Sequence, residues 1–140
     1  MTNLNYDSFR RALKNLELQN YNRKELPSEL PHLLREAVDE SVIQRFEVCY
    51  DITWKSLRRH LIESEGLPDI AASPRPVFRR AGEIGFLTSP VERWMEYVNL
   101  RIGTAHDYSS EKAAAALDRV DDFLSDAVGL YQAMTGELWE

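Results

Sequence analysis

The chain has 140 residues, a hydrophobic fraction of 44% and a formal net charge of −6, and residues 1–140 read as a single domain large enough to bury a real core. The lone Cys49 excludes a disulfide framework, and no Cys/His set has zinc-ligand spacing, so neither a metal nor another cofactor is expected. The acidic balance excludes general nucleic-acid binding by bulk charge, but leaves open a small phosphate site among the arginines.

The charge is unevenly placed. From Asp107 to Glu140 there are eight acids and two bases, whereas residues 1–106 hold 15 of each sign. The acidic stretch reads as a solvated helix face. The opening residues Met1-Thr2-Asn3-Leu4 have no basic flank or apolar run, and no stretch approaches the roughly 20 apolar residues of a bilayer span. A soluble, cytoplasmic protein without membrane association is expected.

No segment alternates with period two for long enough to read as a strand, so the fold class is all-α. The first helix is expected over Asp7–Asn20, with Phe9, Leu13 and Leu16 on one face, followed by a connection over Asn20–Leu30 that contains Pro27. The second runs from Pro31 to Glu65 with a stripe of Ile43, Phe46, Tyr50, Trp54, Leu57 and Leu61. A straight helix of that length would span about 50 Å, more than a domain this size is wide, so a break is expected near Glu36–Glu40.

Gly66-Leu67-Pro68 ends the second helix. Ser73-Pro74 then reads as an N-cap with Pro at the first helical position, opening a short helix to Ile84 before Gly85. Ser89-Pro90-Val91-Glu92 repeats the device as a capping box. The fourth helix carries Val91, Trp94, Val98, Ile102 and Ala105 as its core stripe. The fifth runs from Ser110 to Thr135 before Gly136, with Leu117, Val120, Leu124, Val128 and Tyr131 facing inward. Short connections between amphipathic helices favour antiparallel neighbours, giving an up-and-down four-helix bundle with an additional short helix.

Few residues are candidates for chemistry. No Gly-rich phosphate loop or nucleophile elbow is present. His32 lies at a helix start, and His60, in Arg58-Arg59-His60, reads as a surface residue. His106 stands out through its neighbours Arg101 and Tyr108. A histidine can move a proton to or from a ribose hydroxyl or a leaving oxygen, while an arginine holds and neutralises a phosphate. That set suffices for RNA cleavage without a metal; a plain helix-end histidine facing the helix dipole is the alternative. Positions five apart on an ideal helix lie about 140° apart. Arg101 and His106 would converge through a bend at Gly103 or across a symmetric dimer. Trp94 and Tyr97, on the same helix, are candidates for that dimer interface. Glu47 is expected to be partly buried against an arginine in a structural role. Arg75, Arg79 and Arg80 form the densest basic cluster and could meet RNA or an acidic partner.

Arg101-x4-His106-x-Tyr108 resembles the signature of HepT-like proteins in the HEPN superfamily, also called nucleotidyltransferase substrate-binding proteins. Val42-Ile43-Gln44-Arg45-Phe46-Glu47 with Tyr50 and Trp54-Lys55-Ser56-Leu57 resembles their second-helix signature. Ser73-Pro74-Arg75, Val77-Phe78-Arg79-Arg80-Ala81 and Gly85-Phe86-Leu87 resemble their middle helix. The resemblance spans Phe9 to Tyr131. It implies a homodimeric helical bundle encoded beside a minimal nucleotidyltransferase, acting as the metal-independent ribonuclease toxin of a toxin–antitoxin pair. By that likeness His106 is the acid/base, Arg101 holds phosphate, and Tyr108 receives AMP from the antitoxin partner. The alternative is a non-catalytic subunit that binds a substrate or nucleotide for the nucleotidyltransferase. One departure is Ile102, where the family commonly has a polar residue, often Asn. Its place in the core stripe accounts for it.

Overall fold

The computed structural model describes residues 5–106 and 110–140, and the side chains of His106 and Ser110 lie outside that description. Five helices follow in order: α1 (Asp7–Lys24), α2 (His32–Glu63), α3 (Pro74–Glu83), α4 (Val91–His106) and α5 (Ser110–Thr135). No strand occurs among the described residues. The chain is an all-helical bundle, and cross-helix pairs set its directions. Tyr6 meets His60 at one end of the α1–α2 pair, and Arg23 meets Asp39 at the other. Arg93 of α4 meets Asp126 of α5, and Gly103 approaches Lys112. Both pairs are therefore antiparallel. The short α3 packs between α2 and α4.

Helix ends follow local chemistry, with four departures from the sequence reading. α1 continues past Asn20 to Lys24 because its last turn is basic: Arg23 pairs with Asp39 at 2.7 Å and Lys24 with Asp121 at 2.6 Å. α2 is unbroken through Glu36–Glu40, and its 32 residues span about 48 Å. α4 runs without interruption through Gly103, so no bend forms there. Gly103 instead permits close approach, since an added Cβ would lie 3.3 Å from Lys112 Cδ. Ser73 is extended ahead of Pro74, as expected for a proline-led helix start. Ser89 does not act as a cap hydroxyl toward α4; it donates to Asp126 Oδ1 at 2.8 Å.

The core gathers around aromatic rings. Phe123 of α5 meets Phe46 edge-on at 5.0 Å and Tyr97 at 5.3 Å, while Trp94 stacks on Phe78 at 4.8 Å. Phe123 sets the rotation of α5. Its buried apolar face is Ala116, Val120, Phe123, Ala127, Leu130, Tyr131 and Met134, so Val120 and Tyr131 face inward as expected, whereas Leu117, Leu124 and Val128 are only partly covered. Trp94 and Tyr97 are fully buried, which removes them as dimer-interface residues. Ile102 is 41% exposed, so the core stripe of α4 does not explain it.

His60 is also not a surface residue. It is buried, its Nδ1 shares a hydrogen bond with Tyr6 Oη at 2.7 Å, and its ring lies 4.8 Å from Phe86. The covering groups come from the segment before α1 and the turn after α3, neither of which shows in the periodicity of α2. Asp126, buried on α5, accepts from Ser89, Arg93 and Tyr97 together and ties the start of α4 to α5.

Candidate functional site

The last two turns of α4 lie beside the middle of α2, where both helices carry charge toward one another. Glu47 and Asp51 are four residues apart on α2 and so share a face. Arg101 on α4 reaches both: Nη1 lies 3.0 Å from Glu47 Oε2, and Nη2 lies 3.2 Å from Asp51 Oδ2. Thr104, one turn further along α4, donates to the same Glu47 oxygen at 2.8 Å. Glu47 is therefore largely buried against an arginine, as the sequence suggested, with side-chain exposure of 13% against 25% for Arg101. This arrangement fixes the guanidinium on a side chain that keeps 25% of its surface exposed.

Arg101 opens onto a groove of about 730 Å³ between α2, the start of α3 and α4. The groove is walled by Tyr50, Trp54, Pro74, Val98, Ile102 and Ala105, with Lys55 and Arg75 as further cations. Arg75 is oriented by donating to Asn99 Oδ1 at 2.7 Å. Lys55 Nζ lies 5.7 Å from the Trp54 ring centroid. Burial, reinforced by the charge of Asp51, raises the Tyr50 hydroxyl well above the usual phenol range, so this side chain stays neutral. A concave surface with apolar walls and convergent cations suits a ligand that combines a flat apolar part with phosphate.

The structure brings together only some of the residues singled out by sequence. Arg101 and Arg75 share the groove. Arg79 instead borders a separate depression with Gly82, Leu87 and Val91, and Arg80 pairs with Glu83 at 3.2 Å. His106 is the final residue of α4, and on that continuous helix its position is about 140° from Arg101. Its side chain, and all of Tyr108, lie outside the described residues. The sequence reading missed Asp51 and Lys55 and took Trp54 for a core residue, although it is only half-buried. Spacing could have found Asp51, since it repeats the Glu47 carboxylate one turn on.

The fold and the groove together define a helical bundle with an arginine, held by two carboxylates, in the lining of its concave face. The chain belongs to the nucleotidyltransferase substrate binding protein like family, which matches residues 4–136, and it is HepT-like. It is similar to the "Probable ribonuclease HepT" of Haemophilus influenzae, with 29% identity over 106 residues, 74% of this chain and 72% of that protein. Solved structures share its fold, two of them as follows. One is a Thermus thermophilus protein with TM-score 0.76 and 29% identity, the match covering 91% of this chain and 98% of that one. The other is a Haemophilus influenzae protein whose structure reveals the fold of a substrate binding domain of a nucleotidyltransferase. It matches with TM-score 0.77 and 25% identity over 93% of this chain and 98% of that one. Among the described residues, no helix is long and apolar enough to cross a membrane.

Proposed function

We propose that this chain is a HEPN-type ribonuclease that cuts RNA without a metal ion, the toxin of a pair whose antitoxin is a minimal nucleotidyltransferase. The observation that carries this reading is the placement of Arg101. It is held by Glu47 and Asp51, opens onto a groove, and lies five residues before a histidine at the end of the same helix. Arg101 would hold the scissile phosphate. His106 would take the proton from the attacking ribose hydroxyl or supply one to the leaving oxygen. Since α4 is unbroken between them, the working site is a cleft shared by two copies, Arg101 from one serving with His106 from the other. Residues 1–140 form one such domain, and the protein acts in the cytoplasm.

Tyr108 is the regulatory handle in this reading. Its hydroxyl attacks the α-phosphorus of ATP bound to the partner, pyrophosphate leaves, and the added AMP brings negative charge to the place where Arg101 would hold RNA phosphate. Intact-mass measurement after co-expression with the partner should give adducts in AMP-sized steps that vanish in Tyr108→Phe. Adducts that persist in that variant remove Tyr108 from the scheme.

The deciding experiment for catalysis is RNA cleavage by purified protein in the presence of a chelator. Wild type should cut and Arg101→Ala and His106→Ala should not, while light scattering gives the mass of a dimer. Cleavage by a folded His106→Ala variant, or a monomer at micromolar concentration, overturns the shared cleft. A second reading is favoured by the likeness to a substrate binding domain of a nucleotidyltransferase: the groove presents a substrate or nucleotide to the partner and cuts nothing. Nucleotide binding without any RNA cleavage would select it.

A further inference from the structure

We propose that Trp54 and Ile102 form the apolar walls of a slot for an unpaired nucleobase, beside the phosphate position at Arg101. The inference rests on the reading of the groove as an RNA site and names the part of the substrate that the groove selects. Trp54 on α2 is half-buried and Ile102 on α4 is 41% exposed, yet both line one groove. An isoleucine at that exposure beside a fixed cation gains little from the core, because its helix buries Trp94, Tyr97 and Val98 instead. Pro74 and Pro76 at the start of α3 extend the apolar surface, while the cations Lys55, Arg75 and Arg101 line it together with the carboxylate of Asp51, which pairs with Arg101.

Single-stranded nucleic acid is held by this combination of aromatic faces and backbone-tracking cations. A duplex keeps its bases stacked on one another, so the slot admits a base only from a loop or an unpaired run. The groove volume of about 730 Å³ leaves room for a base and its phosphate. Ile102 then acts on substrate choice, supplying an apolar wall for a ring where a polar side chain would supply a hydrogen bond.

The test uses purified full-length protein and 2′-O-methyl hexauridylate, which lacks the attacking hydroxyl and stays intact whether or not the protein is a nuclease. Trp54 is one of three tryptophans; Trp94 is fully buried and Trp139 packs against Tyr131. Binding should quench tryptophan fluorescence, and the quench should be absent in Trp54→Phe. Anisotropy with a labelled oligomer should show Trp54→Phe binding within about threefold of wild type, and Trp54→Ala and Ile102→Ser weaker by about tenfold. A sugar-phosphate oligomer of equal length without bases should bind more weakly and ignore Trp54→Ala. Equal binding of the two oligomers, or wild-type affinity in folded Trp54→Ala, overturns the slot. So does a dimer that dissociates on Trp54→Ala, because the apolar walls would then belong to an interface between copies. The two readings fail separately. Base-dependent binding without cleavage keeps the slot and removes the ribonuclease, and cleavage with KM unchanged in Trp54→Ala does the reverse.

Discussion

Arg101 of α4 and Glu47 of α2 meet at 3.0 Å in a partly buried pair, and Thr104 donates to the same carboxylate oxygen. The carboxylate thus aims the guanidinium and ties the last turns of α4 to the middle of α2. Glu47→Gln keeps an acceptor for both donors, whereas Glu47→Ala leaves Arg101 with Asp51 alone among these two carboxylates. Urea denaturation should show Glu47→Ala destabilised by about 1–2 kcal/mol, the pair being discounted for the exposure of Arg101. RNA cleavage by the same variant should fall by about tenfold through loss of aim. An unchanged rate in folded Glu47→Ala would show that Arg101 needs no holder.

Asp126 is buried at the far end of α4 and serves three donors. Asp126→Ala leaves the hydroxyl of the fully buried Tyr97 without this acceptor, at a cost of about 3 kcal/mol. Tyr97→Phe removes one donor and leaves the ion pair with Arg93, at about 1 kcal/mol. Denaturant midpoints should rank the variants in that order. The reverse order would mean that the Asp126 carboxylate is not what fastens α4 to α5.

The His60 imidazole is held below its ordinary pKa, chiefly by burial, with Glu65 opposing. Below pH 6.5, the ordinary value, the unfolded chain binds a proton that the native chain resists, so stability falls as pH drops toward the lowered native value. Tyr6, Arg59, Glu63 and Glu65 are the other titratable groups near this end of α2. Thermal melts between pH 7.5 and 5.5 should show a loss in wild type that is smaller in His60→Gln. Equal losses in both would place the acid sensitivity elsewhere.

Cys49 is fully buried on α2, and burial pushes its thiol up to about 12. The native protein should be inert to a thiol-specific reagent and should react with one equivalent after denaturation. Fast reaction of the folded protein would indicate that the α2 core opens readily.

Proline and glycine made several helix limits legible, because those residues act on the backbone next to them. Ser73-Pro74 and Gly85 bracket α3, and α5 has the limits read from sequence. Faces were harder. On α5, spacings of three and four fit two adjacent stripes, and Phe123 chooses between them through Phe46, Trp94 and Tyr97 from other helices. His60 and Ile102 failed in opposite directions for the same reason. Periodicity on one helix cannot report that Tyr6 and Phe86 cover the first, or that a groove uncovers the second. At the site, Arg101 and Glu47 were legible as types with charges to satisfy. Trp54 was hidden by its place in an otherwise buried stripe.

The unbroken α2 has a consequence for how the protein opens. Its first two turns contain no buried residue, and Leu33 and Leu34 there are 76% and 53% exposed; burial begins at Val42. Among the described residues, the Arg23–Asp39 pair, the bond from Arg35 to the Pro27 carbonyl and the bond from Gln19 to Ser41 Oγ tie that overhang to its surroundings. Backbone amides over the first two turns of α2 should therefore exchange with deuterium by local fraying, while those from Val42 onward exchange only when the bundle opens as a whole. One continuous helix would then display two exchange regimes, and the step between them would mark where the bundle's cooperative unit begins.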